Sequence, residues 1–200
     1  MRFIGITGGV GAGKSEVMSY LAALPHTRTM LADRIAEQLM EPGGVCYDAI
    51  KELFREDDVI KEDGSIDRPA MAAVLFADAK KREAVNAVVH PAVKQYVLQQ
   101  LEEEKKKGEL TFLFLEAALL IEQEYGEICD ELWYIYTSEE VRRERLRENR
   151  GYSDEKIDRI FASQLSEEGY RSACAHEINN NGTREEMIES VQKLINSKGE

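Results

Sequence analysis

The sequence predicts a three-layer α/β fold, with a parallel sheet held between helices. The first observation behind this is Gly8-Gly9-Val10-Gly11-Ala12-Gly13-Lys14-Ser15, which fits G-x-x-x-x-G-K-[ST] without a mismatch. The second is its setting: an apolar run over residues 2–7 precedes it, and a helical pattern with Val17, Tyr20, Leu21 and Leu24 on one face follows. The third is the alternation of strand-like and helix-like stretches along 200 residues, enough chain for one well-buried domain.

Taken in order, residues 2–7 read as a first strand and 14–24 as a helix. Residues 27–31 form a weaker second strand that ends at Ala32-Asp33. Helices over 34–40, 46–54, 68–76 and 80–89 follow, broken at Glu41-Pro42-Gly43-Gly44 and by a turn at Glu62-Asp63-Gly64-Ser65. His90-Pro91 predicts a boundary, because the residue before proline is biased away from helix, and Pro91 then opens a separate helix to Lys107. Residues 110–115 are a nearly continuous apolar strand, suited to the centre of a parallel sheet. A further strand at 132–137, helices at 139–149 and 154–164, a short polar strand around 177–179 and a last amphipathic helix at 184–195 complete the pattern. One unit of chain results, with 1–33 and 110–200 as its sheet-bearing core and 34–109 as a helical excursion between the second and third strands.

The glycine-rich loop carries the chemistry. Its glycines allow close backbone approach, and the helix behind it turns free N–H groups and the positive end of its dipole towards an anion. Gly9, Val10, Gly11, Ala12, Gly13, Lys14, Ser15 and Glu16 are therefore the expected nucleotide-binding stretch. Lys14, expected to face solvent, would reach the β- and γ-phosphates, and the Ser15 hydroxyl would ligate Mg²⁺. In open α/β sheets ligands bind beyond the carboxyl ends of the strands, where two acidic residues also stand. Glu116 closes an apolar run and is a second candidate Mg²⁺ ligand; the alternative is a polar residue merely emerging from the sheet. Asp33 is a candidate base for an acceptor hydroxyl, or simply the N-cap of a helix starting at Arg34. Five arginines fall between Arg142 and Arg150; one or two are expected to stabilise charge on a transferring phosphoryl group, with the rest on a solvated surface.

The formal net charge of −12 has the wrong sign for bulk binding to nucleic acid or an anionic membrane. Cys46, Cys129 and Cys174 are odd in number and lack metal-ligand spacing, so they read as reduced thiols of a cytoplasmic protein. His90 and His176 have no companion at ligand spacing. The first strand is read from Arg2, so no secretory or transit segment is expected ahead of it, and the apolar stretch from Leu110 to Ile121, interrupted by Glu116, is too short to span a bilayer. A GTPase switch is a poor reading, since neither D-x-x-G nor [NT]-K-x-D occurs.

The chain resembles the dephospho-CoA kinase family over nearly its whole length. The resemblance rests on Ile6 to Ser15, Ala32-Asp33 with Ile35-Ala36, Glu41-Pro42-Gly43, Asp63-Gly64-Ser65-Ile66-Asp67-Arg68, Phe76 and His90-Pro91. Leu119-Leu120 with Glu122, then Ile178 and Asn180-Asn181-Gly182, extend it to the C-terminal part. It implies a P-loop kinase fold with a helical substrate-binding insertion and a helical lid at about 145–166. It also implies ATP-dependent phosphorylation of the ribose 3′-hydroxyl of dephospho-CoA, with ATP and Mg²⁺ as cofactors and a monomer or weak homo-oligomer. By position Asp33 would stand beside the 3′-hydroxyl, and Arg68, His90, Glu116 and Glu122 would join it in acceptor binding. Asn180 and Gly182 would serve the nucleotide, and Arg145 matches an arginine of the lid helix.

The chain departs from the family pattern at Leu31, where Asp is usual, at Ala118, where Pro is usual, and at Asn149-Arg150, where Arg comes first. Glu116 stands where Asp is frequent, and Ala175 and Glu177 replace an aspartate and an apolar residue. Arg145 is then expected to be the main charge stabiliser, with Arg150 substituting for the arginine missing at 149 and Arg142 and Arg147 left on the surface. Another nucleoside or nucleotide P-loop kinase, or a nucleotide-binding protein that no longer transfers phosphate, are the competing readings.

Overall fold

The structure, a computed structural model, describes residues 1–198. Five strands make one sheet: β1 (Arg2–Thr7), β2 (Thr27–Leu31), β3 (Phe112–Glu116), β4 (Glu131–Tyr136) and β5 (His176–Asn179), in the spatial order β2-β3-β1-β4-β5. The pairs β1–β3, β1–β4 and β4–β5 are parallel. Helices α1 (Lys14–Ala22), α2 (Ala32–Met40), α3 (Tyr47–Leu53), α4 (Arg68–Ala77) and α5 (Ala79–Lys107) precede β3. After β4 come α6 (Glu139–Arg150), α7 (Asp154–Ala162), α8 (Glu167–Ala173) and, beyond β5, α9 (Arg184–Lys198). By contacts the chain divides into one compact unit of Met1–Met30 with the chain from Glu104 onward, and a second of Leu31–Glu103.

In the first unit the sheet alternates its faces, as strands do. Ile4, Ile6, Phe112, Phe114, Trp133, Ile135 and Ile178 pack with Val17, Met18 and Leu21 of α1 and Met187 and Val191 of α9. On the other face Tyr134 stacks on Tyr170 of α8, with ring centroids 4.8 Å apart. The sheet therefore lies between two helical layers. Since β1 is flanked by β3 and β4, the loop at its carboxyl end opens at the point where strand order reverses, the usual place for a ligand in such sheets.

The second unit holds α2, α3, α4 and most of α5, and corrects one expectation. His90-Pro91 is no boundary, because α5 runs unbroken from Ala79 to Lys107 with Pro91 inside it. Val85, Val89, Val93, Val97 and Leu101 are all buried and recur every four residues straight through the proline. Burying one such side chain is worth about 1.5–3 kcal/mol, so the stripe outweighs the cost of about 3 kcal/mol that an interior proline imposes. Pro91 itself is exposed, where water reaches the carbonyl it leaves unpaired. Pro91→Ala should therefore raise the stability of the folded chain by about 1–3 kcal/mol. Urea unfolding checks this, and an unchanged midpoint would mean that the helix already accommodates the ring without loss.

Candidate active site

The loop between β1 and α1 is shaped by its glycines. Gly11 and Gly13 have φ of 84° and 85°, the left-handed region that other residues avoid. Ala12 is buried, and its carbonyl accepts from Asn180 Nδ2 at 2.8 Å and lies 3.0 Å from the Thr137 hydroxyl. A Cβ at Gly13 would stand 2.2 Å from that same Asn180 nitrogen, so the loop can rest on Asn180 only with glycine there. Among the described residues the backbone N–H groups of Gly11, Gly13 and Ser15 find no protein acceptor. Three such donors at a helix N-terminus fit a phosphate group.

Lys14 corrects another expectation. Its side chain is only 13% exposed; Nζ donates to Gly8 O at 2.8 Å and lies 3.7 Å from Glu116 Oε1. The register that pairs Ile6 of β1 with Glu116 of β3 brings the carboxylate to the lysine. Ser15 and Glu16 are exposed on the first turn of α1, and Glu16 faces Arg184 at 3.5 Å. A Mg²⁺ ion with ATP would find hard oxygen donors in the Ser15 hydroxyl and the Glu116 carboxylate, the partial set that this ion takes alongside phosphate oxygens.

Helix α6 brings arginines to the loop. Ser138 caps it, and Leu146 is its one buried apolar residue, so the face that packs is the one containing Leu146. Arg145 Nη2 donates to the Asn180 carbonyl at 2.9 Å, and a Cβ at Gly13 would lie 3.4 Å from Arg145 Nη1. Arg142, expected at the surface, is half-buried against the loop instead: Nε donates to Val10 O at 2.9 Å, Nη2 to Gln164 Oε1, and the guanidinium lies 4.3 Å from the centre of the Phe161 ring. It stands four residues before Leu146 and shares its face, a signal that the sequence does contain. Gln164, which also accepts from Val10 N–H at 3.3 Å, follows α7 and has no comparable signature. Arg143 and Arg147 are tied to Glu139, Asp154 and Asp158, as surface residues of such a helix should be.

The remaining candidates are more scattered. Arg150 is the last residue of α6, exposed, ahead of the left-handed cap Gly151. Its guanidinium is the largest of the influences that lower the pKa of the Tyr152 phenol. Glu122 and Gly182 are exposed, and Asn180 is buried under the loop with its amide spent on Ala12. In the second unit, Asp33 is exposed in the first turn of α2, which begins at Ala32 and not at Arg34, so Asp33 is not the N-cap. Arg68 opens α4 and donates to Glu41 Oε1 at 2.6 Å and to Glu37 O at 3.1 Å, fastening α4 to the end of α2. His90 is half-buried within α5.

A phosphate loop at the central strand of a parallel sheet, a carboxylate on the neighbouring strand and an arginine-bearing helix behind the next define a P-loop kinase fold. Comparison with known proteins narrows the class. The family profile described as Dephospho-CoA kinase matches residues 2–186. The dephospho-CoA kinase of Oceanobacillus iheyensis is 35% identical over 193 residues, 96% of this chain and 95% of that one. That of Shouchella clausii is 33% identical over 194 residues, 96% of each. Among solved structures, TT1252 from Thermus thermophilus superposes with a TM-score of 0.80 at 28% identity, covering 98% of this chain and 97% of its own. The chain belongs to the dephospho-CoA kinase family.

Proposed function

We propose that the protein transfers the terminal phosphoryl group of ATP to the ribose 3′-hydroxyl of dephospho-CoA. The observation that carries the reading is the cluster of Lys14, Glu116, Arg145 and three unpartnered loop N–H groups at one end of the sheet, in a chain of this family. The loop N–H groups and Lys14 bind and neutralise the donor phosphates. Ser15 and Glu116 are the residues that would hold Mg²⁺, which when bound would add charge neutralisation on those phosphates. Asp33 takes the proton of the acceptor hydroxyl as the oxygen attacks phosphorus and the bond to the leaving ADP breaks. Arg145 stabilises the charge spread over the transferring group, and Asn180 works through the loop backbone. Arg68, His90 and Glu122 belong to the acceptor side of this reading, and Gly182 to the nucleotide side. Among the described residues no helix is long and apolar enough to cross a membrane.

The test is ADP release from Mg-ATP against dephospho-CoA, pantetheine, adenosine and nucleoside monophosphates. Dephospho-CoA should give the highest kcat/KM by at least about 100-fold, since an acceptor lacking bound groups leaves buried polar partners unpaired. Preference for a nucleoside monophosphate would make the chain a different P-loop kinase, and ATP binding without turnover on any acceptor would make it a non-transferring binder.

A further inference from the structure

Arg142 is unlike the arginines beside it. Arg143 and Arg147 are held by carboxylates, whereas Arg142 gives its hydrogen bonds to a backbone carbonyl and an amide oxygen. Burial, the largest influence on it, pulls its pKa below the ordinary arginine value. Among the described residues no carboxylate makes an ion pair with it, although Glu139 and Glu167 act on it from farther off, and a half-buried guanidinium so placed is favourable for an arriving anion. Its place on the loop has a definite consequence. The Val10–Gly11 peptide is planar and trans, so its C=O and N–H point in opposite directions. By holding Val10 O, Arg142 fixes the direction of the Gly11 N–H, one of the unpartnered donors. Asn180 does the same for Gly13 by holding Ala12 O. The guanidinium can lie this close only because residue 9 is glycine: a Cβ there would fall 2.4 Å from Arg142 Cζ. Gln164 completes the arrangement, since its one oxygen accepts from both Arg142 and Val10 N–H and so joins the end of α7 to the loop.

We propose that Arg142, latched through Gln164, is a positioning residue of the phosphate loop. It lies three residues before Arg145 on the face that meets the loop, whereas Arg150 is exposed at the end of α6. The proposal rests on the nucleotide reading of that loop. It is tested by calorimetric titration of ATP in the absence of any acceptor, together with kcat and KM on dephospho-CoA. Arg142→Ala should weaken ATP binding about tenfold or more and lower kcat, while KM for dephospho-CoA stays within about twofold. Arg142→Lys keeps the charge without the fork that spans Val10 and Gln164, and should recover only part of the loss. Gln164→Ala should weaken ATP about two- to fivefold in the same direction, and should cost little more when added to Arg142→Ala. Arg150→Ala should weaken ATP less than Arg142→Ala does. The proposal is overturned if Arg142→Ala binds ATP like the wild type, or if Arg150→Ala has the larger effect. Should Arg142→Ala fail to fold, wild-type affinity in both Arg142→Lys and Gln164→Ala overturns it equally. A wild-type protein that does not bind ATP would overturn the nucleotide reading itself, a result distinct from a wild type that binds and variants that do not differ from it.

Discussion

Lys14→Ala is expected to lower turnover by at least about 10³-fold, the upper end of what removing one preorganised electrostatic group costs. Two roles are lost together. The ammonium no longer neutralises the donor phosphates, and the hydrogen bond to Gly8 O that holds the first turn of the loop disappears. The core is not involved, because the packed residues of α1 are Val17, Met18 and Leu21, whereas the Lys14 side chain turns back onto the loop. The melting temperature should therefore move by no more than a few degrees, the effect of about 1 kcal/mol in a chain of this size. Lys14→Arg keeps the charge but changes its reach and geometry, so it should restore little activity. Steady-state kinetics alongside thermal unfolding separates these outcomes. Near-normal turnover in Lys14→Ala would mean that this loop does not hold the reacting phosphates.

The second large effect is expected at Asp33. Asp33→Asn preserves size and removes the base, so kcat should fall by about 10²–10⁴-fold while the Kd for ATP and the KM for dephospho-CoA change by less than about threefold. A capping role would produce the opposite pattern, a loss of stability with turnover unchanged. The structure already weakens that alternative, because α2 begins one residue before Asp33 and Leu31 occupies the cap position. In the proposed reading Asp33, exposed in the first turn of α2, is the carboxylate that takes the proton. Wild-type turnover in Asp33→Asn would assign the proton to another group.

How far the sequence discloses this molecule can be followed residue by residue. The strands β1 and β2 and the loop between β1 and α1 are legible because their signals are local: a short apolar run, a helical period, glycines where the backbone turns left-handed. Pro91 shows where local signals fail. Its preference for ending a helix is intrinsic to two residues, whereas the buried stripe that overrides it is a property of the whole of α5. The short helix α8 escapes notice for a similar reason, since Tyr170 is its only buried residue and that one ring is held by stacking on Tyr134, far away in sequence. Among the candidate site residues, Lys14, Ser15 and Glu116 can be picked out from motif and strand end. Arg142 could have been found from its four-residue spacing to Leu146, but its surroundings of arginine and glutamate resemble a solvated surface. Gln164 could not, because its meaning comes entirely from Val10 and Arg142, 154 and 22 residues away along the chain.

The departures from the family pattern also acquire physical content. Glu177, where an apolar residue is common, is exposed and pairs with Arg171 at 2.7 Å, so its charge is matched without disturbing the buried Ile178 beside it. Ala175 serves through its backbone, its N–H donating to Leu132 O at 2.8 Å where β5 begins. Nothing in the structure explains Ala118.

The central claim is that this chain moves a phosphoryl group from ATP to one particular hydroxyl. It is tested most directly by incubating the protein with γ-³²P-labelled ATP, Mg²⁺ and dephospho-CoA and locating the label in the product. The account predicts stoichiometric label on the ribose 3′-oxygen, released by a 3′-nucleotidase and absent from the Lys14→Ala reaction. Label on any other oxygen, or label recovered only as inorganic phosphate, would contradict it.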